Sequence, residues 1–239
     1  MLTLALESTA TIASASLAQD GRCLYLVQSD CGLTHSEQLL PMVQEALRAT
    51  GKRVADIDLF ACTVGPGSFT GVRIAAAVLK GLAFDSGKPC APVSTLLSLA
   101  QNLFPLEGIF CPVMDARRDQ VYTAQFACRD GRMTRESEDE ALSLAQLADR
   151  LRRYEGQPIY LCGDGYDLAH NALCEAGIVL CDTPRLLRGQ NAFSTALCAE
   201  RMFRDGETVP EAQLLPTYLR MPQAERERLA AEAAKAAAE

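Results

Sequence analysis

The 239-residue chain has no tryptophan and only two histidines, His35 and His170. That scarcity excludes a histidine-rich metal cage. It also leaves no Ser/His/Asp set to argue for, since neither histidine accompanies a strained nucleophile turn. No C-x-x-C pair occurs among the ten cysteines, which removes the common zinc and thioredoxin-type patterns. Cys62, Cys111, Cys162 and Cys181 sit inside apolar runs, where a thiol behaves as a small hydrophobe. No apolar run approaches the roughly 18 residues of a membrane span. The opening MLTLALESTA lacks the basic and continuous apolar regions of a signal peptide. A reduced, cytoplasmic protein without membrane association is expected. No run of Lys or Arg is present, and a net charge of −7 opposes strong unaided binding to a polyanion.

What is present is organised around Leu59 to Phe84. A short apolar run ends at Gly65-Pro66-Gly67-Ser68, and an apolar-rich segment follows to Phe84. The run predicts a buried strand, the glycines and Pro66 a tight turn, and Ser68 the N-cap of a helix. That helix has few polar positions, mainly Thr70, Arg73 and Lys80. A helix apolar on most sides is covered on most sides, so a sheet beneath it and something else above it are expected.

Before this stretch, Leu2–Glu7, Ile12–Leu17 and Cys23–Gln28 read as an antiparallel meander with Asp20-Gly21 as a hairpin turn. Thr34 and Glu37 match a capping box for a helix ending near Gly51, with Pro41 as an expected kink. After it come a strand at Pro89–Val93 and a helix at Thr95–Phe104. The order then restarts: strands at Ile109–Met114 and Val121–Cys128, a short third segment ending near Glu136, and a helix at Ser143–Tyr154. A strand at Ile159–Cys162, a helix to about Ala176, a strand at Ile178–Cys181 and a helix at Gln190–Asp205 follow. The doubled order predicts an α/β protein of two lobes with mixed sheets, 1–105 and 106–220. The 190–205 helix is a candidate to pack back on the first lobe. Residues 221–239, rich in Ala and Glu, read as a solvated or frayed helix.

Three stretches carry candidate chemistry. Gly65-Pro66-Gly67-Ser68-Phe69-Thr70-Gly71 follows a strand and opens a helix, as a dinucleotide fingerprint does. Pro66 and the missing acidic residue after the next strand count against that reading, and no Gly-Lys-Ser/Thr follows for a Walker A loop. A structural turn and an anion site at a helix N-terminus both stand. Glu7-Ser8-Thr9 at the first hairpin reads as a solvated turn or a phosphate contact. Asp115 to Tyr122, with four charges, reads as a solvated turn or a contact with a partner protein or RNA.

Taken together, ALEST near the start, HSEQLLP at 35–41, GPGSFTGVRIA at 65–75, VSTL at 93–96, DARRDQVY at 115–122 and PTYLR at 216–220 closely resemble the bacterial TsaB (YeaZ) family of tRNA threonylcarbamoyladenosine biosynthesis. The resemblance covers about residues 1 to 220. It implies the ASKHA fold, the actin/Hsp70-like pair of ribonuclease-H-like lobes, with the first lobe binding a partner. It implies a subunit of the complex of TsaD, TsaB and the ATPase TsaE. That complex transfers a threonylcarbamoyl group from threonylcarbamoyl-AMP to the adenosine 3′ of the anticodon of tRNA. TsaD carries V-N-H-x-x-G-H, whose histidines bind metal. The aligned stretch here is Val93 to Leu99, with Thr95 and Leu99 at the histidine positions, so no catalytic or metal residues are expected in this chain. The resemblance points to a partner interface at His35, Glu37, Leu39, Leu40, Val72, Arg73, Ala76, Leu79 and Lys80; an apolar helix left open without TsaD predicts a homodimer through the same face. No cofactor is expected in the chain by itself. ATP or ADP at the complex interface is the fold's implication, with Glu7, Ser8, Thr9, Gly65, Gly67 and Ser68 as the candidate nucleotide or anion set. The competing readings are a free-standing ASKHA-type ATPase or phosphotransferase, which needs a competent phosphate loop, and a peptidase, which needs a nucleophile–base pair.

Overall fold

The computed structural model describes residues 1–220; the expected tail helix at 221–239 lies outside the described residues. The first sheet runs β3-β2-β1-β4-β5. Its meander is β1 (Leu2–Glu7), β2 (Ala13–Gln19) and β3 (Arg22–Ser29), and β4 (Leu59–Thr63) and β5 (Cys90–Val93) extend it in parallel. Alternation sorts its two faces. Leu2, Leu4, Leu6, Phe60 and Cys62 pack under α1 (His35–Thr50) and α2 (Phe69–Ala83). The opposite face is small-residue: Ala5, Ala18, Ala61 and Ala91 meet Ala192, Ala196 and Ala199 of α6 (Ala192–Asp205). Alanine against alanine lets that helix lie close to the sheet.

The second sheet repeats the plan with broken strands. β6 (Gly108–Asp115) is flanked on one edge by parallel β11 (Ile159–Cys162). Along the other edge run antiparallel β7 (Gln120–Thr123) and β8 (Phe126–Arg129). The two pieces share one register on β6, so the single strand expected over Val121–Cys128 is interrupted at Ala124-Gln125. Pro112 stands opposite the gap and has no N–H to donate. Gln125, itself buried, pairs instead with the segment after β9, its N–H donating to Ser137 Oγ at 3.0 Å and its carbonyl accepting from Glu136 N–H at 2.8 Å. The outer strand is split likewise into β9 (Arg132–Arg135) and β10 (Glu140–Ser143). The expected strand Ile178–Cys181 reduces to one bridge between Cys181 and Tyr160. Helices α4 (Leu144–Leu151) and α5 (Tyr166–Glu175) cover one face through Leu147, Leu151, Ala169 and Leu173.

The lobes exchange helices. α3 (Thr95–Gln101) precedes the seam near Pro105, yet Leu96, Leu99 and Ala100 pack on Phe110, Met114 and Phe126 of the second lobe. α6 follows the second sheet and packs on the first.

Two local expectations change. Thr34 is the N-cap of α1, but its hydroxyl donates to Glu37 Oε2 at 2.5 Å and caps no amide. α1 runs unbroken through Pro41, which is exposed, so the carbonyl it deprives faces water. Ser68 does cap α2, its Oγ accepting from Gly71 N–H at 3.2 Å.

Candidate functional site

The carboxyl ends of β1, β4, β6 and β11 meet between the lobes, where open α/β sheets place ligands. Four turns converge there: Ser8 to Ile12, Gly65 to Ser68, Asp115 to Gln120, and Gly163 to Gly165. Thr9, Thr11, Gly67, Ser68, Asp115 and Asp164 help to line a cavity of about 370 Å³.

The fold brings Glu7, Ser8, Thr9, Gly65, Gly67 and Ser68 together, but their polar groups serve the chain itself. The Thr9 carbonyl accepts from Ser68 N–H at 2.7 Å. The Ser8 hydroxyl donates to the Gly71 carbonyl at 2.8 Å, and the Gly65 carbonyl accepts from Thr95 N–H at 2.9 Å. The glycines are there for proximity. A Cβ on Gly71 would lie 1.9 Å from the Ser8 carbonyl oxygen, and one on Gly67 2.5 Å from that of Thr9.

Glu7 is fully buried. Its Oε1 accepts from Thr9 N–H at 2.6 Å and Thr9 Oγ1 at 2.5 Å, and Oε2 has no partner among the described residues. Desolvation raises its pKa, against the pull of the Thr9 bonds. Asp164 is exposed as a residue, yet its carboxyl sits between the lobes. Desolvation, helped by the Asp115 charge, pushes its pKa up to about 6. Sequence reasoning passed over Asp164 because Gly163-Asp164-Gly165 reads as an ordinary turn.

These residues do not fit the phosphates of the nucleotide that the fold family implies. The first hairpin has no glycine, and the Ser68 and Thr9 amides are taken. The cavity wall carries Asp115 and Asp164, and its one cation, Arg117, is 3.3 Å from Asp115. No phosphate chemistry is derived from this cleft.

At the positions where TsaD would hold histidines, Thr95 and Leu99 are buried in α3, and Leu99 is a core residue. Among the described residues, no group of three or more His, Cys, Asp or Glu could hold a metal. No helix there is long and apolar enough to cross a membrane.

On the α1–α2 side, the expected interface set divides. Leu39, Ala76 and Leu79 belong to the first lobe's own core and Val72 is buried, so none of the four can face a partner; this corrects the expectation. Helical spacing is the reason. Val72, Ala76, Leu79 and Ala83 share the sheet-facing stripe, while Arg73, Ala77 and Gly81, four apart, share the outward one. His35 is half-buried, with Nε2 2.7 Å from the Ala10 carbonyl oxygen, and it pins α1 to the first hairpin. Glu37, Leu40 and Arg73 are exposed. Lys80 is half-buried, and its Nζ donates to the Ala212 carbonyl at 3.2 Å. Outward residues outside the expected interface set are Pro41, Ala77 and Gly81, flanked by half-buried Ile74 and Val78.

Comparison with known proteins decides the family. The "tRNA threonylcarbamoyladenosine biosynthesis protein TsaB" of Escherichia coli is 31% identical over 223 residues, covering 92% of this chain and 95% of that protein. The chain belongs to the TsaB family. The family described as "TsaD: tRNA N6-adenosine threonylcarbamoyltransferase" also matches residues 29–226. A Pseudomonas aeruginosa structure, described as an uncharacterized protein with similarity to peptidase YeaZ, superposes with a TM-score of 0.78. It has 30% identity and covers 92% of this chain and 99% of that one. At 12% identity and TM-score 0.51, the ethanolamine utilization protein EutJ of Carboxydothermus hydrogenoformans shares the fold alone, covering 82% of this chain and 89% of that one. The TsaB-family chain thus has the ASKHA architecture.

Proposed function

We propose that this chain is a non-catalytic subunit in the synthesis of tRNA threonylcarbamoyladenosine. It docks on a TsaD-type protein that transfers the threonylcarbamoyl group from threonylcarbamoyl-AMP to adenosine N6. TsaE and tRNA are reached through that complex. The first lobe supplies the docking face, and any ATP or ADP is held at the interface with the partner.

The observation that carries this reading is the outward face of α1 and α2. Leu40, Pro41, Ala77 and Gly81 are exposed, with Ile74 and Val78 half-covered beside them. Small residues at Ala77 and Gly81 let another helix come close. An apolar helical face left open by its own lobe is one that a second protein finishes. Without the partner, a second copy covers it. The packed side chains of Thr95 and Leu99 support the assignment of chemistry to the partner, because carbonyl polarisation by a metal has no ligands here.

A reconstituted assay tests this. The chain with threonylcarbamoyl-AMP and tRNA yields no modified nucleoside, and addition of the TsaD-type protein gives product. Robust turnover by the chain alone overturns the proposal.

A further inference from the structure

The segment from Pro216 to Arg220 crosses between the lobes. Thr217 N–H donates to the Val64 carbonyl of the first lobe at 2.7 Å, and Arg220 Nη1 donates to the Ala116 carbonyl of the second at 2.9 Å. It assembles a surface that no run of sequence announces. The Tyr218 and Phe69 rings lie 5.0 Å apart. The Arg73 guanidinium sits 3.5 Å from the Phe69 centroid and 5.5 Å from that of Tyr218, and Arg220 lies 5.8 Å from the Tyr122 ring. Beside them, Arg117, Arg118 and Asp119 hold φ of 62°, 56° and 55°. This is a left-handed turn that L-residues rarely adopt. The turn carries the Arg117 side chain, 87% exposed, and exposed Arg118. Among the described residues, only Arg117 of these four arginines has a carboxylate partner, Asp115. The other carboxylates nearby are Asp119 and, across the cavity, Asp164.

We propose that this patch of Arg73, Arg117, Arg118, Arg220, Tyr122 and Tyr218 contacts the tRNA directly, at a loop with unstacked bases. Guanidiniums meet phosphates, and aromatic and guanidinium planes stack unpaired bases. An acidic protein surface would use the cations but not the ring faces; RNA uses both. The adjoining cavity of about 370 Å³, with Tyr122 and Arg117 in its wall, has room for one base. In a chain of net charge −7, this gathering of cations is local, so it directs RNA to one place and does not give general polyanion affinity.

The proposal rests on the tRNA reading above, and its test has two arms. In the complex with a TsaD-type protein, tRNA binding is measured across salt concentrations. The variant Arg117→Ala/Arg118→Ala binds at least about tenfold more weakly, with a slope against log salt shallower by about one to two. Tyr218→Leu weakens binding about fivefold or more, with little change of slope. Unchanged binding in both variants overturns the proposal. So does loss of capture by the TsaD-type protein in the double variant, which assigns the turn to a protein contact. In the second arm, the chain alone is photo-crosslinked to a tRNA anticodon arm at low salt. A crosslink that the double variant lacks supports the patch even where no complex forms, and no crosslink to the wild-type chain contradicts it.

Discussion

At the scale of the residue, Glu7 is the position where burial and charge conflict. Burial raises its pKa, so the folded chain retains a proton that the unfolded chain releases above about pH 4.5. Stability from this group is full below that value and is lost as pH rises through the folded pKa. A protonated Oε2 can donate to Thr63 Oγ1, which otherwise has no partner among the described residues. Glu7→Gln keeps the Oε1 acceptor for Thr9 and supplies a permanent donor toward Thr63. Its thermal midpoint should therefore exceed that of the wild type at pH 8, and the advantage should shrink by pH 4. A midpoint below the wild type at pH 8 would contradict this account of Glu7. Asp164, with its pKa near 6, adds the same sign of dependence, lost as pH rises from about 4 to 6. Gly71 is the steric counterpart. Gly71→Ala drives a methyl into the Ser8 carbonyl and should cost about 3 kcal/mol or more in a denaturant titration.

At the scale of the element, α2 shows what the sequence could say and what it could not. The strand, turn and helix from Leu59 to Ala83 were legible, because Gly65-Pro66-Gly67 punctuates two apolar runs and Ser68 is a strong cap. The outward stripe was not legible. Alanine, valine and isoleucine lie on nearly every side of this helix, so composition gives no contrast between its faces. Only the placement of β4, β1 and α1 beneath it makes Ala77 and Gly81 outward and Ala76 inward. The break between β7 and β8 was hidden for another reason. Its cause, Pro112, lies on the opposing strand, and pairing across a sheet is not a local property. Gly81→Ala separates the two aspects of α2. A Cβ there meets nothing within 4 Å, so the free chain should gain about 0.5–1 kcal/mol from helix propensity. If the outward face is the docking face, partner affinity falls in the same variant.

At the scale of the whole molecule, the two lobes repeat one plan and trade their last helices, so neither α3 nor α6 covers the sheet it follows. The doubled plan could be read from the order of elements. The sequence offered α6 as a candidate to return to the first lobe, but it gave no sign that α3 crosses to the second, because the apolar stripe of α3 suits either sheet. The cleft between the lobes keeps the position of an ASKHA nucleotide site, but its amides, hydroxyls and glycines are engaged in holding the lobes' own turns together. The proposed docking on a TsaD-type partner therefore falls outside the cleft, on the α1–α2 face. Calorimetric titration of the chain with a TsaD-type protein, wild type against Ala77→Arg, tests that most directly. Affinity should be at least about a hundredfold weaker in the variant, with an unchanged circular dichroism spectrum because Ala77 is exposed on its own lobe. Equal affinity in the two proteins would contradict it.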